Sequence, residues 1–316
     1  MFARSRWLVS AGALGSVCAL LAGCGSTGSG TAGGASPAAA RSAGASPSTG
    51  AGQPAGGSQS GTVASPSAGP DKFTAPLTVD NPMFPLAVGT QFTYQGRIVQ
   101  DGESKPHSVT FTVTDLSKMV DGVPTVVAWD RDFLGGELQE QELAFFAQDD
   151  QGNVWNFGEY PEEYDGGKFT GAPSTWIRGV DGAYGGIHML SQPKTGMKYR
   201  EGLVPAIEFD DVSVVTRTGQ QTCLAGTCYK QVLVVDETSP NDPTSGHQIK
   251  YYSPPTGLIQ VGARGGDSQE FLTLTSVRHL GQAEMAKIRT EVKAMDQRAY
   301  RVSKVYRTTK PAEQRS

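Results

Sequence analysis

Charge is scarce in this chain, and its first 70 residues contain no lysine, aspartate or glutamate, which leaves Arg4, Arg6 and Arg41 as the only charged side chains there. Of 316 residues 18% are charged, with 27 Lys and Arg against 31 Asp and Glu. All of the acid lies beyond residue 70, so residues 71–316 carry a formal charge of −7. A chain of that sign lacks the basic footprint that phosphate neutralisation requires, which excludes a general nucleic-acid binder. Histidine is limited to His107, His188, His247 and His279, none at an informative spacing from a serine or aspartate. The folded part has no G-x-S-x-G and the chain has no H-E-x-x-H. No residue is thereby singled out as catalytic or metal-ligating, and no cofactor is called for. After residue 24 no apolar run reaches the roughly 20 residues that a spanning helix needs.

What is present begins at the N-terminus. Arg4 and Arg6 precede an apolar run from Trp7 to Ala22, which ends in Leu21-Ala22-Gly23-Cys24. This resembles a bacterial lipoprotein signal peptide with its lipobox. The run is too short to span a bilayer stably, and the small residues before Cys24 let a peptidase reach the backbone. The resemblance implies that residues 1–23 are removed, that Cys24 is lipidated, and that the membrane is a partner through that lipid. Two or more acyl chains make a durable anchor, because each buried methylene adds about 0.8 kcal/mol. The expected location is therefore outside the cytoplasm, on the outer face of the cell membrane or in the periplasm or cell wall.

Residues 24–72 read as a tether. Between Gly25 and Pro70 only Arg41, Gln53, Gln59 and Val63 depart from Gly, Ala, Ser, Thr and Pro. Such a stretch has almost no side chains able to bury apolar area, so ordering entropy wins and disorder is expected.

Residues 73–281 read as one β-rich globular domain. Apolar residues alternate with period two in Phe92–Tyr94 with Ile98, Val109–Val113, Val126–Trp129, Val212–Thr216, Tyr229–Val235, Gln248–Tyr252, Gly257–Val261 and Glu270–Val277. Turn signals separate the earlier runs: Asp101-Gly102, Asp121-Gly122, Gly135-Gly136, Asp149–Asn153, Asp165-Gly166-Gly167 and Asp181-Gly182. The expected class is mainly β, an antiparallel meander forming a barrel, half-barrel or sandwich, followed by a C-terminal amphipathic helix.

The domain also resembles a family of bacterial exported proteins and lipoproteins without an assigned activity. The residues carrying that resemblance are Asn81–Leu86 with Gly89-Thr90, Asp150–Glu159, Gly166–Lys168, Ala172–Gly179, Gly186–Met189 and Tyr251–Leu258. They are mostly turns and large apolar side chains, so the resemblance implies architecture more than chemistry. The chain departs from that pattern in having two cysteines near the late hairpin, Cys223 and Cys228, and in adding the C-terminal helical segment.

Cys223 and Cys228 are expected to form a disulfide that clips a hairpin, given their short spacing and an oxidising compartment. Free thiols, a redox pair or a metal site are the alternatives, although C-x-x-C spacing is missing. The candidate ligand-binding set is Trp155, Phe157, Glu159, Glu162, Glu163 and Asp165. Aromatic faces beside carboxylates hold sugar rings or organic cations, and paired carboxylates serve acid and base roles in hydrolysis. The set thus supports binding of an envelope polymer, a small ligand or a protein partner, with a wall-glycan hydrolase as the rival and a purely structural component as a third reading. Solvated loop acids and core rings are the plain alternative. The Asp149–Asn153 cluster reads as a hairpin turn rather than a calcium loop, and Gly179–Gly186 as a glycine-rich turn rather than a phosphate loop.

Residues 282–316 form the basic helix and tail, with nine bases and four acids from Ala283 onward. Met285, Ile288, Val292, Met295, Ala299, Val302 and Tyr306 share one helical stripe, with Thr308–Ser316 expected to fray. The stripe calls for packing on the acidic domain, a coiled coil, or docking on an anionic surface; oligomeric state is not specified.

Overall fold

The computed structural model describes residues 72–315, and the lipobox and most of the tether lie outside the described residues. The domain is mainly β, as its alternation predicts. Five long strands run as consecutive hairpins: β1 Thr90–Gln100, β2 Glu103–Val120, β3 Val123–Leu134, β4 Glu137–Gln148 and β5 Val154–Asp165. Short pieces follow, namely β6 Lys168–Gly171, β7 Trp176–Ile177, β8 Tyr184–Gly185 and β9 Ile187–Met189. A second meander comprises β10 Lys198–Val204, β11 Phe209–Leu224, β12 Thr227–Thr238, β13 His247–Ser253, β14 Gly257–Arg264 and β15 Ser268–His279. Antiparallel pairing of β15 with β1 joins the two meanders into one sheet, ordered β6-β5-β4-β3-β2-β1-β15-β14-β13-β12-β11-β10-β8.

The sheet is curved and open, not closed into a barrel, which is compatible with a half-barrel or a sandwich. Near its two ends the β8–β9 segment touches both flanks: Asn156 N donates to Gly186 O, and Gly186 N donates to Glu201 O. The glycines of this segment are there for close approach. A Cβ on Gly186 would lie 2.1 Å from Arg200 O, and one on Gly185 would lie 2.3 Å from Asn156 O. The segment read from sequence as a glycine-rich turn is therefore a staple between β5 and β10.

Two-residue turns with positive φ close the hairpins at Asp101-Gly102, Asp121-Gly122, Gly135-Gly136 and Gly166-Gly167. Mirror-type turns match the twist of the flanking strands, which is why Asp-Gly and Gly-Gly sit there. The Asp149–Asn153 turn is held by the Asp149 carboxylate, which accepts from Gln151 N, Asn153 N, Asn153 Nδ2 and Trp155 Nε1 at 2.8–2.9 Å. Asn81 is a second hub: its Nδ2 donates to Gly152 O and Leu190 O, and its Oδ1 accepts from Met83 N. That seats Phe84 against Phe111, Phe146 and His188 on the concave face.

The hairpin of β11 and β12 carries the Cys223–Cys228 disulfide, with an S–S distance of 2.03 Å, between directly paired residues. Both cysteines lie at the partly exposed hairpin end, and the closed loop is short. Replacing both by serine is expected to cost about 2 kcal/mol or less, since loop-closure entropy is small for a six-residue loop. Equilibrium urea denaturation checks this; a loss above about 4 kcal/mol would show that the bridge holds more than its own hairpin.

On the convex face lies the helix α1, Gln282–Val302, with Met285, Val292, Met295 and Ala299 buried. The basic helix therefore packs on the domain. Arg289 is bonded to Asp115, and Arg298 donates to both oxygens of Glu162 at 2.8–3.0 Å. Two expectations for this region need correction. The helix ends at Val302, so Tyr306 joins the core from a 3-10 turn at Tyr306–Thr308 rather than from the helical stripe, while Val302 stays 39% exposed. The tail does not fray through Arg315: a short strand β16, Glu313–Gln314, pairs with β2, and Ala312 N donates to Asp296 Oδ2. Asp296 explains both changes, because a buried carboxylate draws the Tyr306 hydroxyl at 2.6 Å and the tail backbone back onto the helix.

Candidate functional site

The candidate set read from sequence lies along β5, but alternation and a bulge divide it between faces. Trp155 and Phe157 are fully buried, meeting the ring of Phe73 at 6.2 and 5.3 Å and the guanidinium of Arg178 at 5.3 and 4.7 Å. Glu162 faces the helix, where it accepts from Arg298, Tyr160, Tyr164 and Gln141; those partners hold its carboxyl below the usual range despite burial. Asp165 is exposed at the turn. Glu159 and Glu163 lie on the concave side, opposite Ala144 and Glu140 of β4. The six residues therefore do not converge on one pocket.

The concave face holds a different constellation. Across β1, β2, β3 and β4 the register runs Phe92, Phe111, Asp130, Glu142 in one row and Tyr94, Val109, Asp132, Glu140 in the next. One end of the face is thus aromatic and the other carboxylate-rich. Asp130 is 8% exposed and Glu142 2%, yet Asp130 Oδ1 and Glu142 Oε1 have no hydrogen-bond partner among the described residues. Burial raises Asp130 to about 8, with the charge of Asp132 adding to it. Burial likewise drives Glu140 and Glu142 well above the ordinary carboxylate range, reinforced by neighbouring acids. Glu159 is raised to about 7 by burial, although Trp176 Nε1 and Asn156 Nδ2 donate to it at 3.0 and 2.7 Å.

Beside this strip His107 sits between two carboxylates, with Nε2 2.7 Å from Asp132 and Nδ1 3.3 Å from Glu270 Oε1. Burial pushes its pKa down, but the Asp132 hydrogen bond and the surrounding acids outweigh that and the net shift is upward. Glu270 rises to about 7 through burial, moderated by His107. Among the described residues this is the one triple whose ligating atoms all lie within 4.8 Å. One nitrogen toward each acid favours an imidazolium, whereas a metal needs a neutral ring nitrogen. Farther round, Glu201 accepts from Ser213 Oγ and pairs with His188 Nδ1 at 2.9 Å. The serine is bonded to the acid rather than the imidazole, and burial keeps His188 well below its ordinary pKa, so this trio lacks the relay of a hydrolase. Lys250 and Glu237 form a buried pair at 2.6 Å.

The aromatic end is filled. Phe84, Phe92, Tyr94, Phe111 and Leu258 enclose a cavity of only about 10 Å³, room for roughly one water molecule. The carboxylate end changes from buried to partly exposed along β3 and β4 toward the exposed Gly135-Gly136 turn, which gives the strip an approach from solvent. Sequence reasoning missed these acids because Glu137–Gln148 is too polar to stand out as a strand. The available signal was acids at alternate positions, Asp130 and Asp132, then Glu140 and Glu142, on either side of a two-glycine turn.

This is an open, curved antiparallel sheet with a polar concave end and a helix on its convex face. No family model and no curated protein matches the chain. Two solved structures do: a candidate exported protein with a YmcC-like fold from Bacteroides fragilis, at 12% identity and a TM-score of 0.36, and a candidate lipoprotein from Parabacteroides distasonis, at 11% identity and 0.29. Each match covers 63% of this chain and 99% of the other. A superposition that distant conveys no function.

Proposed function

We propose that the chain is an exported lipoprotein, anchored through Cys24 and held off the membrane by residues 25–72, whose concave face binds a ligand of the cell envelope without transforming it. The observation that supports binding is the pair of buried carboxylates Asp130 and Glu142, each with an oxygen that no group among the described residues satisfies. Buried polar groups are almost always paired, and an unpaired one is costly, so such a face is built for something outside the chain. The lipobox and the oxidised Cys223–Cys228 pair support the location.

Native mass spectrometry of detergent-solubilised full-length protein from its own cells tests the binding role. A retained mass that is lost in the Asp130→Asn/Glu142→Gln variant is expected; a mass kept by the variant, or protein always free of ligand, contradicts it. The anchor has its own test, in which Cys24→Ser moves the protein from the membrane fraction to the soluble one and abolishes palmitate labelling. Unchanged labelling removes the assignment.

A further inference from the structure

We infer that the outer face of α1 and the turn beyond it, carrying Lys293, Arg301, Lys304, Arg307 and Lys310, docks on the anionic lipid headgroups of the membrane in which the chain is anchored. The inference rests on the anchor proposed above, which brings that membrane within reach. All five side chains are exposed. None is bonded to a carboxylate among the described residues. From Val292 to Ala312 the one acid is Asp296, which is buried and bonded to Lys118. Two other arginines of the helix, Arg289 and Arg298, are neutralised by Asp115 and Glu162 where they reach back to the sheet. Packing therefore uses one side of the helix, with its own ion pairs, and leaves the basic side unmatched.

The bases form one surface because the tail folds back along the helix. Lys293 and Tyr300 are seven residues apart and share a side of α1. Tyr300 Oη lies 3.3 Å from Thr309 Oγ1, and Lys310 O accepts from Lys118, so the segment from Lys304 to Lys310 lies against the same end of the helix. A helix C-terminus attracts cations, but its dipole amounts to roughly half a charge, far short of five bases. Clusters of about four to eight Lys and Arg suffice to hold a segment on anionic lipid. The outer positions Ala286, Thr290 and Gln297 supply no bulky apolar side chain to insert, so the contact is electrostatic. Charge segregation sets the orientation. Residues 71–282 carry 15 bases and 27 acids, so the same surface repels the rest of the domain. Docking through α1 turns the concave face away from the bilayer and leaves it open to the envelope.

Energy transfer from the tryptophans of the mature protein to dansyl-labelled headgroups in unilamellar vesicles tests the assignment. With residues 1–23 removed the donors are Trp129, Trp155 and Trp176, all in the domain. Vesicles of phosphatidylcholine alone are compared with vesicles containing about one-third phosphatidylglycerol. Transfer is expected to be about twofold higher on the anionic vesicles and to fall to the neutral level in about 0.5 M salt. Lys293→Gln/Arg301→Gln/Lys304→Gln/Arg307→Gln/Lys310→Gln should abolish the difference, whereas Lys168→Gln/Lys194→Gln, exposed elsewhere on the domain, should keep it. Circular dichroism confirms that each variant is folded, and Lys293→Gln/Arg301→Gln, expected to reduce the difference, serves if the five-site variant is not. Equal transfer on the two vesicles, or a difference that survives in the folded variant, overturns the proposal. Loss of binding to purified wall polymer by the variant, with no change on vesicles, overturns it too and assigns the face to the polymer. Flotation with the neutral vesicles reads the anchor by itself: protein that fails to float lacks the lipid, and the excess bound to anionic vesicles still measures the docking face.

Discussion

Lys118→Ala is expected to cost about 3–5 kcal/mol of stability, the size of effect seen when one member of a buried ion pair is removed. The Lys118 ammonium is fully enclosed between β2 and α1, and it donates to Asp296 Oδ1 at 2.8 Å, Tyr300 Oη at 2.9 Å and Lys310 O at 2.7 Å. It also lies 4.2 Å from the ring centre of Tyr306. Desolvation lowers its pKa, and Asp296 opposes that shift. Removing the lysine therefore strands the Asp296 carboxylate, 2% exposed, with only the Tyr306 hydroxyl and Ala312 N as donors. Loss should extend to the helix and tail, since one carboxylate joins α1, the Tyr306 turn and the segment leading into β16. Lys118→Met/Asp296→Asn is expected to recover at least half of the loss, because no uncompensated charge remains; the Ala312 N–H loses part of its acceptor and keeps recovery incomplete. Urea denaturation of the full-length protein reads both, and a single-variant loss below about 1 kcal/mol would mean that the pair is not the anchor of the helix.

That pair also shows why the C-terminal segment was only partly legible. Spacing of three and four placed Met285, Val292, Met295 and Ala299 on the buried stripe, and burial follows that pattern. Periodicity treats Asp296 as a surface charge, since nothing local marks the partner, and Lys118 lies 178 residues away. The tail went the same way: Lys310, Ala312 and Glu313 carry no apolar signal, yet their backbone is bound by β2 and Asp296.

Turns were legible because a mirror-type hairpin turn demands positive φ at adjacent positions, and Asp-Gly and Gly-Gly supply it. The Ala225-Gly226 turn was hidden only by its alanine, and the paired cysteines on either side marked the hairpin instead. Strand β4 was harder. Its inward positions Glu140 and Glu142 are as polar as surface residues, so the contrast between faces vanishes from the pattern. The candidate site suffered most from this, since the carboxylate strip becomes visible only when β3 and β4 are registered side by side. On β5 the bulge opposite Phe145 and Phe146 shifts the alternation, so Glu159, opposite Ala144, takes the face away from Trp155, opposite Ala147, although even spacing places the two together.

Stability should fall as the pH rises from about 5.5 to 8.5, the reverse of the usual behaviour of a protein held by ion pairs. The sign follows from the protons. Asp130, raised to about 8, and Glu159 and Glu270, raised to about 7, bind protons in the folded state that the unfolded chain releases near pH 4. Their stabilising contribution is fully present below the unfolded pKa and is lost as pH climbs through the folded values. His107, also shifted upward, acts in the same direction. His188, held well below its ordinary pKa by burial, opposes them within the window, since the unfolded imidazole takes up a proton below about pH 6.5 that the folded one does not. Glu162 opposes them too: its folded pKa is lowered, so its contribution is present above the unfolded pKa and lost as the solution becomes acid. That loss falls mainly below pH 5, outside the window. A fall on the order of 3 kcal/mol across the window is expected, less than the summed shifts imply because water reaches the open end of the strip. Asp130→Asn/Glu142→Gln should raise stability at pH 8.5 and reduce the slope by roughly half, since amides keep the shape without the charge. Chemical denaturation at half-unit pH intervals measures both slopes. A wild-type profile that is flat or rising across the window would mean that the strip is solvated enough to ionise at ordinary pH, and the cost assigned to its unpartnered oxygens would then be absent.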